Sequence, residues 1–156
     1  MKLNNKYVWI GTVLVTAIVV AGVYLGTYQE KQSNENPLKK IVDAQEFKSI
    51  LDSAGSRIQV FDLYADWCAP CKMIEPTLSS LSEKYGSTVD FYRVNIDENP
   101  QIASLFKTQV IPYVVFVKNG KVITSFSGVT SQGSYEKVIT LCEASTEPCD
   151  KLIQNL

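Results

Sequence analysis

Tyr113-Val114-Val115-Phe116-Val117 is an unbroken apolar run. In a strand, successive side chains point to opposite faces. A run of this kind therefore belongs to a strand covered on both faces, which calls for helices above and below a sheet. Ile58 to Tyr64 is a second apolar run of strand length.

The segments around these runs supply the covering layers. Ala44, Phe47, Ile50 and Leu51 recur at helical spacing, and Ile74, Leu78, Leu81 and Tyr85 fall on one helix face. Val89 to Ile96 reads as a strand, and Pro100 opens a short helix through Phe106. Lys118-Asn119-Gly120-Lys121 is a hairpin turn, because both central residues tolerate positive φ. It leads into a strand near Val122 to Phe126, and Tyr135, Val138, Ile139 and Cys142 line a last helix. The order predicts an α/β fold: a central mixed β-sheet flanked by helices, with an antiparallel hairpin at one edge.

A different segment precedes this pattern. Tyr7 to Tyr28 holds 22 residues without a charge. As a helix it would reach about 33 Å, against roughly 30 Å of bilayer hydrocarbon. Tyr7 and Trp9 at one end and Tyr24 and Tyr28 at the other resemble an interfacial belt. The segment exceeds a usual signal-peptide core and lacks a clean Ala-x-Ala site, so it reads as a retained transmembrane anchor in contact with lipid. The expected organisation is a tail over 1–6, the anchor over 7–28, a polar linker over 29–40, a globular domain over 41–145 and a C-terminal tail over 146–156. Lys2 and Lys6 before the anchor nearly balance Lys31, Lys39 and Lys40 after it. The short tail favours an inside amino terminus with the domain outside the cytoplasm. A net charge of −1 offers no basic field for nucleic acid. The absence of histidine excludes Ser-His-Asp and Cys-His catalysis.

The chemistry concentrates at Asp62-Leu63-Tyr64-Ala65-Asp66-Trp67-Cys68-Ala69-Pro70-Cys71-Lys72. A strand ends near Tyr64 and a helix begins around the cysteines. Cys68 then sits at a helix N-terminus, where free N–H groups and the helix dipole favour a thiolate. Cys71 follows within one turn, close enough to bridge, and Pro70 fits a first turn. Such a pair suits a redox couple. Zinc would need further ligands, but Cys142 and Cys149 are spaced too widely and there is no imidazole. A structural disulfide or a redox-dead relic are the other readings; the flanking Trp67 and Pro70 argue against the first, and two intact thiols against the second.

At these residues the chain resembles the thioredoxin family. Trp67-Cys68-Ala69-Pro70-Cys71-Lys72 matches the family's active-site motif except for Ala at a Gly. Pro76, Asn95 to Pro100, Ile111-Pro112, Lys118-Asn119-Gly120 and Gly128 follow in the family's order, over roughly Ile41 to Cys142. The resemblance implies a thioredoxin fold in which Cys68 attacks a substrate disulfide and Cys71 resolves the mixed disulfide. It implies that Asp62 is a buried acid serving the proton of Cys71. Burial would raise its pKa toward neutrality. It also implies a cis Pro112 beside the sulfurs, and a substrate surface of Trp67, Ala69, Pro70, Ile111, Pro112 and Gly128. No cofactor or metal is implied, since the electrons reside in the sulfurs. Ala69, Tyr64 and Arg93 depart from common family residues, and Arg93 replaces a Lys near the buried acid.

Cys142 and Cys149 are expected to form a structural disulfide in an oxidising compartment, the alternative being two unpaired thiols in a loose tail. The expected function is reduction of disulfides in extracytoplasmic client proteins, supplied by a membrane electron-donor protein. Family analogy suggests apocytochromes among the clients. A disulfide oxidase or isomerase is the alternative direction, and a non-catalytic binding or assembly factor the alternative class.

Overall fold

In the computed structural model, helices cover both faces of a five-stranded sheet. The chain separates into two units, Met1–Glu35 and Asn36–Leu156. The structure describes residues 37–144 together with Val20 and Cys149. The expected anchor over 7–28, apart from Val20, and the tail over 1–6 lie outside the described residues. Among the described residues no helix is long and apolar enough to cross a membrane.

The elements run β1 (Lys39–Ile41), α1 (Ala44–Ser53), β2 (Ile58–Tyr64), α2 (Ala69–Tyr85), β3 (Val89–Asn95), α3 (Pro100–Leu105), β4 (Tyr113–Lys118), β5 (Lys121–Ser127) and α4 (Gln132–Ala144). The sheet order is β1-β3-β2-β4-β5. β1, β3 and β2 are mutually parallel, whereas β4 runs antiparallel to β2 and to β5. This is the expected mixed sheet. The hairpin between β4 and β5 turns on Asn119 and Gly120, with φ of 53° and 70°. Asp43 caps α1 by accepting hydrogen bonds from the N–H groups of Gln45 and Glu46.

The apolar runs do what their pattern implies. Val114 to Val117 is buried, and its residues alternate between two cores. Val114 and Phe116 join Val60, Ile74, Leu78 and Ile139 on the α2/α4 face. Val115 and Val117 join Phe47, Phe61, Leu63 and Ile102 on the α1/α3 face.

Two boundaries differ from the sequence reading. The linker expected over 29–40 overruns into the domain: Lys39 and Lys40 belong to β1, which pairs with Tyr92 to Val94, and Leu38 is buried in the α2/α4 core. A three-residue edge strand with two exposed lysines carries too little alternation to be recognised. At the other end, Cys149 falls in the expected tail but packs into the same core, bonded to Cys142. The Cα atoms of that pair are 5.2 Å apart. Lys118 Nζ donates to the Cys142 carbonyl at 2.9 Å, closing the C-terminal turn of α4.

The Cys142–Cys149 bond joins residues 7 apart in sequence. Removing it as Cys142→Ser/Cys149→Ser should lower unfolding free energy by about 2.5 kcal/mol from chain entropy. Urea unfolding of the oxidised protein measures this. An unchanged midpoint would mean that the bond does not brace the fold.

Candidate active site

β2 is buried along its whole length and ends at Tyr64. The chain then turns through Ala65 and Asp66 into α2, and the Cys68 N–H donates to the Ala65 carbonyl at 3.1 Å. Cys68 is the N-cap of α2, with extended backbone (φ −81°, ψ 100°). Its Sγ accepts a hydrogen bond from the Cys71 N–H at 3.2 Å. The expected pair is bonded, Cys68 to Cys71, with Cα atoms 5.3 Å apart. In the dithiol form, the same N–H and the positive end of a 17-residue helix would favour a thiolate at Cys68. Pro70 lies in the first turn, where its missing N–H leaves no intrahelical bond unmade. Pro76 lies inside the helix.

The two sulfurs differ in surroundings. Cys68 retains slight exposure and Cys71 has none. Both pack with Tyr64 and Ala65, and Ile96 and Ile111 lie against the cluster. The Ile111–Pro112 peptide is cis. The Pro112 carbonyl accepts a hydrogen bond from the Gly128 N–H at 2.8 Å. Gly128 has φ +77°, a conformation that side-chain-bearing residues rarely adopt, so β4 and the end of β5 are joined there by a glycine. Ala69 and Pro70 are exposed. Trp67 is 69% exposed, and its ring is held by Nε1 donating to Asp97 Oδ2 at 2.8 Å. Val110 and Val129, which the sequence reading did not single out, are also more than half exposed beside Ile111 and Gly128.

Asp62 lies two residues after Val60 on β2 and so faces the same side, toward α2. It is 1% exposed. Its Oδ2 accepts a hydrogen bond from Arg93 Nε at 3.1 Å, while Oδ1 has no partner among the described residues. The parallel register sets Arg93 of β3 directly beside Asp62. Burial raises the Asp62 pKa from 3.8 to about 6, against the opposing charge and hydrogen bond of Arg93. The guanidinium is itself enclosed: its Nη1 pairs with Glu75 Oε1 at 2.8 Å, and its face lies 3.9 Å from the Tyr64 ring centroid. Glu75 was missed in the sequence. Its spacing of four from Cys71 on one helix was the available signal.

A pocket of about 110 Å³ opens between Tyr64, Asp66, Cys71, Lys72, Glu75 and Arg93. A larger groove of about 660 Å³ lies at the opposite end of β2, beside Ile58, Lys118 and Cys142. The redox pair instead occupies the carboxyl end of the parallel strands, where α/β sheets place their chemistry.

Fold and site together define a dithiol–disulfide redox protein built on a mixed α/β sheet. A family model described as thioredoxin matches residues 38–140. Thioredoxin of Homo sapiens is 40% identical over 95 residues, 61% of this chain and 90% of that protein. Thioredoxin of Gallus gallus is 34% identical over 104 residues, 67% and 98% of the two chains. The solved structure of Malassezia sympodialis thioredoxin superposes with a TM-score of 0.62 at 34% identity, covering 69% of this chain and 91% of that one. Mitochondrial thioredoxin 3 from Saccharomyces cerevisiae, in its oxidised form, gives 0.59 at 32% identity, covering 66% and 93%. The chain belongs to the thioredoxin family, and Cys68 and Cys71 are its redox pair.

The raised pKa of Asp62 has a thermodynamic consequence. Between about pH 4 and 6 the folded protein holds a proton that the unfolded chain releases. The neutral carboxyl therefore favours the fold below its ordinary pKa, and that contribution is lost as pH rises through about 6. Asp62→Asn should stabilise the oxidised protein by about 2–3 kcal/mol at pH 8 and by little below about pH 4. Urea unfolding at the two pH values tests this; a gap independent of pH would contradict a buried, proton-holding Asp62.

Proposed function

We propose that this thioredoxin domain reduces disulfides in client proteins outside the cytoplasm while tethered to the membrane by the segment over 7–28. The observation that carries the redox reading is the asymmetry of the pair: Cys68 caps α2, and Cys71 is buried one turn further in.

In the proposed cycle the Cys68 thiolate attacks one sulfur of a client disulfide. One client sulfur leaves as a thiolate, and a Cys68–client mixed disulfide remains. Cys71 then gives its proton to the Asp62 carboxylate. The Cys71 sulfur attacks Cys68 Sγ, the bond from Cys68 to the client breaks, and its electron pair leaves on the client sulfur. The client gains two electrons and the protein is left with the Cys68–Cys71 disulfide. A carboxyl with a pKa of about 6 is suited to take and return a proton near neutrality. The client segment would lie against Trp67, Ala69, Pro70 and Ile111. The backbone at Pro112 and Gly128 would bound the surface where an extended chain can pair.

Each cycle consumes two electrons, so the proposed setting requires a membrane protein that returns them to the pair. Two features support a setting outside the cytoplasm. One is the uncharged, aromatic-bounded segment Tyr7 to Tyr28. The other is the buried Cys142–Cys149 bond, of a kind that oxidising compartments maintain.

The reduction potential of the Cys68–Cys71 pair, measured on the intact chain by equilibration against glutathione, decides the direction. A value near about −270 mV supports a reductant, whereas one near about −120 mV would replace this reading with disulfide formation. Location is tested separately by carbonate extraction and external protease. Retention in the membrane pellet, with digestion of the domain from outside, is the expected result. Release into the carbonate wash would refute the tether.

A further inference from the structure

The guanidinium of Arg93 is shared between two carboxylates of unequal burial. On its inner side, Nε reaches Asp62, which is almost wholly buried. On its outer side, Nη1 reaches Glu75, whose side chain is 34% exposed at the pocket beside Cys71. Tyr64 covers the guanidinium face, so Arg93 has little freedom to swing away from either partner. Glu75 lies four residues after Cys71 on α2, which places the two on one side of the helix.

We propose that Glu75 is a positioning residue for the resolving step: by holding Arg93 from the outside, it limits how fully the guanidinium neutralises Asp62, and so keeps Asp62 able to take the proton of Cys71. The inference rests on the proton-transfer reading above.

The physical argument is one of charge balance. A buried carboxylate alone with an arginine is held ionised and becomes a weak base. Arginine does not release its own proton, so Arg93 can tune Asp62 but cannot relay for it. With Glu75 on the same guanidinium, the trio carries a net negative charge, and adding a proton to its buried member relieves that charge. The directions agree: burial raises the pKa of Asp62 most, the charge and hydrogen bond of Arg93 lower it, and the charge of Glu75 raises it again.

The other groups facing Asp62 do not substitute for Glu75. From α4 comes the buried Tyr135, whose pKa is raised chiefly by burial and further by the charge of Asp62 itself. From β4 the register partner is the apolar Val114. Around the pocket at Arg93, α2 contributes Cys71 and Lys72 beside Glu75. On its own strand the neighbour two residues on is Tyr64, which lies against Arg93.

The test is a carboxyl-carbon NMR titration of Asp62 in the reduced, intact protein and in Glu75→Gln. It is paired with the pH profile of resolution. Resolution is read by stopped flow as the second release of thionitrobenzoate from its aromatic disulfide. Glu75 is part-exposed, so solvent screening keeps the expected effect modest. Removing its charge should move the Asp62 midpoint down by about half a pH unit, a roughly threefold change in acidity. The limb of the resolution profile that follows Asp62 should move with it. An unmoved midpoint would overturn the proposal, as would a profile that shifts while the midpoint stays. Asp62→Asn separates the two ideas. Resolution at the wild-type rate in that variant would overturn the proton-transfer reading, while the titration still reports by itself whether Glu75 and Asp62 compete for Arg93.

Discussion

Strand β2 has no exposed residue, and the geometry of the site follows from that burial. Its two faces belong to two cores, so its side chains must alternate between α2 above and α1 below. Its two edges pair with β3 and β4. A strand held on four sides cannot shift register without turning every side chain to the wrong face. Where it ends, the chain has a fixed exit, and Cys68 meets the first turn of α2 at that exit. The same constraint leaves Asp62 no route to water from mid-strand. A charge in that position must be paired, protonated or both.

The structure pairs it incompletely. Arg93 is brought beside Asp62 by the parallel register, but one carboxylate oxygen has no partner among the described residues and the guanidinium is divided with Glu75. A well-satisfied buried pair would lock Asp62 in its ionised form, and a lone buried carboxyl would stay protonated far above neutrality. The arrangement falls between these limits. Buried ion pairs add little net stability once desolvation is counted, so this one is better understood through its effect on protonation than as a brace.

The two disulfides sit at opposite ends of β2 and in unlike surroundings. Cys68–Cys71 lies inside a single helical turn, beside exposed Trp67 and the loops carrying Ile111 and Gly128. Cys142–Cys149 ties the end of α4 to a residue beyond it, within the apolar core and behind Lys118. The first is placed for exchange with a partner thiol.

Much of this was legible in order along the chain. Unbroken apolar runs mark strands covered on both sides, and Cys68, Pro70 and Cys71 announce a helix N-terminus, because those signals depend on neighbours within a few residues. Positive φ at Asn119 and Gly120 is equally local. That Ile111 lies against the cysteine cluster could be expected only through family resemblance, since nothing in its immediate sequence says it lies near a sulfur. The edge strand β1 was misplaced because it has one buried residue, Ile41, and gains its identity only by pairing with β3. No periodicity surrounds Cys149, so the sequence alone reads it as part of a tail. The sequence by itself therefore determined which segments are strand and helix, where the redox pair stands and that an acid lies in the central strand. Arg93 was placed near that acid only through family resemblance, and only the tertiary structure decided that Glu75 shares its guanidinium, because their contact depends on strand register and helix docking. Those are set by the packing of both cores at once and leave no mark on any single stretch of chain.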